Sequence, residues 1–86
     1  MQIEFHRLFK KKYKKVPVKI RGRFDERLFI FETEPFHPQF NNHPLGGDKK
    51  GQWSINIMGD WRAIYVFKDE KAVVFIDIDT HSNLYQ

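Results

Sequence analysis

Four histidines, His6, His37, His43 and His81, are the side chains that change charge near neutral pH. The absence of cysteine excludes thiol nucleophiles, disulfides and thiolate-bound metals. No two histidines stand four apart on a helix, and His37, His43 and His81 lack a zinc-ligand spacing, so no metal and no cofactor is expected. Neither a phosphate-cradling glycine loop nor a Gly-x-Ser-x-Gly elbow is present. Metal-free acid–base chemistry remains, and His43, Asp60, Arg62 and His81 suit one form of it, the cleavage of RNA. One group takes the proton of a ribose 2′-OH as that oxygen attacks phosphorus. A second protonates the departing 5′ oxygen, and a cation offsets charge on the phosphoryl oxygens. Each residue also has a plainer reading: Asp60 as a turn former, Arg62 as the partner of an acidic neighbour, His81 as a ligand of strand backbone. His6 and His37 are assigned to structure or surface, and Trp53 and Trp61 to the core. Tyr85, close to the chain end, is the aromatic best placed to stack on a base.

Positioning these groups falls to the elements around them. Gln2-Ile3-Glu4-Phe5 alternates polar and apolar residues and reads as a strand. Phe5, Leu8, Phe9, Tyr13 and Val16 form the stripe of a first helix. Pro17 opens a second, striped by Ile20, Phe24, Leu28 and Phe31 and stopped before Pro35. Gly22 inside it is expected to mark a close approach of the two helices. Residues 35–52, with three prolines and two adjacent glycines, read as a loop. Three alternating segments follow, beginning at Trp53, Trp61 and Ala72, linked by Met58-Gly59-Asp60 and by Lys68-Asp69-Glu70-Lys71. Thr80 to Tyr85 reads as a polar tail. The expected fold is α+β, one domain over residues 1–86, in the order βααβββ. Two N-terminal helices cover one face of a twisted, mainly antiparallel four-stranded sheet, and the other face lines a groove. Such a meander brings Asp60, Arg62 and His81 to one rim, with the 35–52 loop supplying His43.

Charge adds a partner class. Residues 1–43 carry a net +5 and residues 44–86 a net −1. The excess runs from Arg7 to Arg27 and includes Lys10, Lys11 and Lys12. A one-sided basic surface suits a polyanion or an acidic protein, though a solvated helix face has the same composition. No apolar run is long enough to span a membrane, and the N-terminus lacks a signal-peptide pattern, so the expected location is the cytoplasm.

Several ordered motifs resemble the RelE/ParE superfamily of toxins from type II toxin–antitoxin systems, and its YafQ-like mRNA interferase branch most. They are Lys12-Tyr13-Lys14-Lys15-Val16-Pro17, Asn42-His43-Pro44-Leu45-Gly46-Gly47, Gly59-Asp60-Trp61-Arg62 and Asp79-Thr80-His81-Ser82 through Tyr85. The resemblance implies a ribosome-dependent endoribonuclease that cuts mRNA without a metal. Its partners would be a cognate antitoxin, the ribosome with mRNA, and operator DNA through the antitoxin complex. It carries catalytic roles onto His43, Asp60 and His81, and a base-stacking role onto Tyr85. Asn56 stands where the branch's best-known member has a histidine, and Asp77 where it has an arginine. Phosphate stabilisation is therefore assigned to Arg62 or to Lys10, Lys11 and Lys12. Two other readings compete: a gyrase poison of the ParE type, and an inactive relative that binds antitoxin and operator DNA.

Overall fold

The computed structural model describes residues 1–85. Its strands are β1 (Gln2–Phe5), β2 (His43–Pro44), β3 (Gln52–Met58), β4 (Trp61–Asp69) and β5 (Ala72–Thr80). Its α-helices are α1 (Arg7–Tyr13), α2 (Val18–Phe31) and α3 (His81–Leu84), with single 3-10 turns at Pro38–Phe40 and Gly47–Lys49. The sheet runs β1-β5-β4-β3-β2, with β1 parallel to β5 and every other pair antiparallel. The α+β architecture is as expected, but the sheet has five strands rather than four. The fifth, β2, lies inside the expected loop, and α3 lies inside the expected polar tail. Two residues are too few to show an alternation. Pro44 is tolerated there because β2 is an edge strand and needs no outward N–H.

Helix α1 is shorter than its stripe. Phe5 belongs to β1, His6 caps the helix by accepting the Leu8 N–H on Nδ1 at 3.1 Å, and Leu8 is exposed. Phe9 and Val16 are buried as the stripe requires. Pro17 is the N-cap of α2, and its carbonyl accepts the N–H groups of Ile20 and Arg21. Gly22 does not mark a helix contact: a Cβ there would meet nothing within 4 Å.

The inner face of the sheet and the two long helices share an aromatic core. Phe24 meets Phe75 edge to face with centroids 5.4 Å apart, Phe9 lies 5.6 Å from Phe24, and Phe31 lies 5.3 Å from Tyr65. Fixed ring geometry adds to area burial and gives a short chain a defined interior. Residues directly opposite in the antiparallel ladders share a face. His43, Ser54, Ile64 and Asp77 therefore form one row on the outer face, and Asn56, Arg62 and Asp79 the next. Ile64 and Leu84 are buried but lie outside the main core cluster.

Candidate active site

The sequence candidates occupy two stations on this outer face. One is the corner where β3 turns into β4 and β5 ends. Met58 pairs with Trp61, so Gly59 and Asp60 form a two-residue hairpin turn. Gly59 has φ 57°, which a side-chain-bearing residue adopts only with strain. Asp60 is exposed, and its carbonyl accepts the His81 N–H at 2.6 Å, tying the start of α3 to the turn. The Arg62 guanidinium folds back onto the same turn, donating from Nη1 to the carbonyls of Gly59 at 2.9 Å and Trp61 at 3.0 Å. Thr80 caps α3, its Oγ1 accepting the Asn83 N–H at 3.3 Å. One turn later the Tyr85 ring lies 4.6 Å from the His81 ring and is 40% exposed. Asp60, Arg62, His81 and Tyr85 are thus brought to one corner.

His43 stands apart from that corner. It lies on β2, three strand spacings or about 14 Å from β5 across the sheet, on the face that carries Arg62. Its placement starts with Asn41, which adopts the left-handed conformation (φ 45°, ψ 46°) that asparagine tolerates better than most residues. The His43 Nδ1 then bonds the Asn41 carbonyl oxygen at 2.7 Å. A carbonyl only accepts, so Nδ1 is the donor of this contact, and Nε2 is the ring nitrogen left for other partners. Asn42 anchors the segment, donating from Nδ2 to the Pro35 carbonyl at 2.9 Å and accepting the Tyr65 hydroxyl at 3.0 Å. Burial pushes the Tyr65 phenol up to about 12, so it stays a donor. His6 and His37 are arranged in the opposite sense. Each accepts a backbone N–H on Nδ1, from Leu8 and from Gln39, and caps a helical turn. That matches the structural role expected of both.

Between the stations lie two polar atoms without protein partners, Ser54 Oγ and Asn56 Oδ1, both buried. Asn56 pairs across the ladder with Arg62. Lys49, which sequence reasoning passed over, places its Nζ 6.0 Å from the Tyr85 ring centroid. Nothing in its spacing signals this, since the contact depends on the 3-10 turn and the chain end meeting over the sheet.

The three lysines expected to meet phosphate are not equivalent. Lys10 and Lys11 are exposed on α1. Lys12 instead turns to β5, where its Nζ lies 2.6 Å from Asp77 Oδ1 and 2.9 Å from Asp79 Oδ2. Burial works against its charge, but the two carboxylates outweigh that and hold its pKa above the ordinary value. Burial also works against the Asp79 charge. Hydrogen bonds from Asn83, Lys12 and the Thr80 N–H nevertheless hold it below the usual carboxylate range. The Lys12 charge is therefore matched within the chain by two carboxylates.

Comparison with known proteins supplies the context for this arrangement. Residues 1–86 match the family described as the bacterial toxin of type II toxin–antitoxin systems, YafQ. The chain is 31% identical over 71 residues to endoribonuclease HigB of Proteus vulgaris, a match covering 77% of each chain. It is similar to the crystal structure of YafQ from E. coli BL21(DE3), with 25% identity, a TM-score of 0.72, and 99% of this chain and 98% of that one covered. It is also similar to a chain of the E. coli DinJ–YafQ complex, with 26% identity, a TM-score of 0.69 and the same coverage. A family match over the full length, on a fold shared with the solved YafQ structures, has one reading: the chain belongs to the YafQ family of type II toxin–antitoxin toxins.

Proposed function

We propose that this endoribonuclease toxin cuts mRNA on the ribosome by metal-independent attack of a ribose 2′-OH on the adjacent phosphorus. The observation that carries the reading is the 2.7 Å contact of His43 Nδ1 with the Asn41 carbonyl oxygen. With its Nδ1–H held by the Asn41 carbonyl, Nε2 is the free base that accepts the 2′-OH proton. The 2′ oxygen bonds phosphorus and the bond to the 5′ oxygen breaks. His81, held to Asp60 through its backbone and with its ring tilted against that of Tyr85, gives its proton to that leaving oxygen. Arg62 and Lys49 are the cations at hand for the phosphoryl oxygens, and Tyr85 stacks on a base. The products are a 2′,3′-cyclic phosphate and a 5′-hydroxyl, with no water consumed.

Lys10 and Lys11 supply counterion-releasing contacts to ribosomal RNA. A cognate antitoxin silences the protein in the cytoplasm, a reading supported by the complex of DinJ with the similar YafQ chain, and operator DNA is reached through that complex.

The test is expression in a bacterium without antitoxin, followed by mapping of mRNA ends. Cuts that depend on translation and carry 5′-hydroxyl termini are expected from the wild type and lost with His81→Ala. A 5′-phosphate terminus, or equal cutting by both proteins, rejects the mechanism. Gyrase inhibition without any mRNA cut would favour the ParE-type reading.

A further inference from the structure

The one-turn helix α3 begins with His81 and is capped by Tyr85, yet a single helical turn has no stability of its own. It must be held from outside: the Asp60 carbonyl takes its first N–H, and a second set of polar contacts centres on Asp79. One oxygen of that carboxylate, Oδ1, accepts the Thr80 N–H at 2.8 Å and the Asn83 Nδ2 at 2.9 Å. The other, Oδ2, lies 2.9 Å from Lys12 Nζ, which also bonds Asp77 at 2.6 Å. Strand β1 pairs only with Ala72 to Phe75, so the far half of β5 is an open edge. Around that edge Lys12 reaches from α1 to the outer face. The chain Lys12–Asp79–Asn83 thus connects the helix layer to the outer-face helix that bears the proposed acid and the stacking ring.

We propose that Lys12, Asp79 and Asn83 are positioning residues: they fix α3 so that His81 and Tyr85 face the scissile linkage, and Lys12 is not a phosphate contact. The idea rests on the reading of His81 and Tyr85 given above. Without Lys12, the Asp77 and Asp79 carboxylates lose the cation they share and repel each other, and the Asp79 carboxylate that holds Asn83 loses its anchor on Oδ2. The electrostatic alternative, in which Lys12 meets RNA, makes an opposite prediction. A phosphate contact contributes to affinity and to its salt dependence, whereas a positioning group contributes to the rate of the bound complex.

The decisive experiment compares wild type, Lys12→Met, Lys12→Arg, Asn83→Ala and the Lys12→Met/Asn83→Ala double variant on ribosomes programmed with mRNA. Lys12→Met is expected to slow single-turnover cleavage roughly tenfold. The ribosome Kd and the slope of log Kd against log salt should stay at the wild-type values. Lys12→Arg should restore most of the rate, and the double variant should be no slower than the slower single one, because both act through Asp79. Amide exchange at residues 81–85 should quicken in Lys12→Met, a readout independent of activity. Weaker binding with a shallower salt slope and an unchanged single-turnover rate overturns the proposal, as does unchanged exchange at 81–85. His81→Ala separates the two levels. If it cleaves like wild type, the active-site reading fails, while the exchange result still decides whether Lys12 holds α3.

Discussion

Under α1 and α2 the sheet buries Phe9, Phe24, Phe31, Tyr65 and Phe75 ring against ring, while its opposite face sets Ser54, Asn56, Arg62, Asp77 and Asp79 beside a helix of one turn. The first surface is apolar, closed and redundant, since each ring touches several others. The second is polar and partly open, and it is held by directional bonds rather than by packed rings. Its parts are tied by individual hydrogen bonds: His81 N–H to the Asp60 carbonyl, His43 to the Asn41 carbonyl, Asn83 to Asp79. Stability and activity should therefore separate cleanly between the two faces, and substitutions can test how far they do.

The largest stability effect is expected inside the aromatic face. Phe24→Ala removes a ring in contact with Phe5, Phe9, Tyr13 and Phe75 and should cost about 3–5 kcal/mol. Urea unfolding measures it, and a domain this small has little reserve against such a loss. A cost below about 1 kcal/mol would mean that the rings are not a packed unit. On the other face, His43→Ala should lower single-turnover cleavage roughly 10²- to 10⁴-fold. Its unfolding free energy should stay within about 0.5 kcal/mol of wild type, because the ring's one bond is made near the surface. A large loss of stability there would erase the division between the faces.

That division also explains what could be read from the sequence. The aromatic face follows from periodicity, so Ile20, Phe24 and Phe31 could be placed on one stripe and the three long strands found. The misreadings cluster where periodicity has nothing to act on. Strand β2 is two residues long and α3 four. In the run Lys10-Lys11-Lys12 the three side chains look alike, and only the register that brings Asp77 and Asp79 past the end of β1 singles out Lys12. Asp60 and His81 were legible as neighbours because a meander returns the end of β5 to the β3–β4 turn. Their distance from His43 was not, since it depends on the strand pairing of two loop residues. The Nδ1 contact of His43 was equally hidden, resting on a left-handed Asn41.

Asn42 is the residue that bridges the two regimes, and it sharpens the comparison. Its Oδ1 accepts the hydroxyl of the buried Tyr65, a core residue, while its backbone leads into His43. Asn42→Ala leaves that hydroxyl without its partner, at a cost of about 1–3 kcal/mol. It also frees the segment that orients His43. Cleavage should fall more than the stability change alone would give. Tyr65→Phe together with Asn42→Ala should recover part of the stability, since no buried hydroxyl is then left unpaired, without recovering the rate. Recovery of both would mean that His43 is placed by the core rather than by Asn42.

The smallest effect belongs to the Lys12 cluster, and its pH dependence has a definite shape. Asp79 ionises more readily folded than unfolded, so its contribution is present above the unfolded carboxyl value near about 4. That contribution is lost as pH falls through the lower folded value. Lys12 holds its proton more tightly folded than unfolded, so its contribution is present below about 10.4 and is lost as pH rises through the higher folded value. The stability difference between wild type and Lys12→Met should therefore form a plateau from about pH 5 to about pH 9 and decline at both ends. Its height should not exceed about 1 kcal/mol, because the Lys12 side chain is 42% exposed and solvent screens the pair. Urea titrations of the two proteins across that range measure the curve. A step near pH 6.5 would assign the difference to a histidine, and a plateau several times higher would make the cluster a pillar of the fold rather than a support for α3.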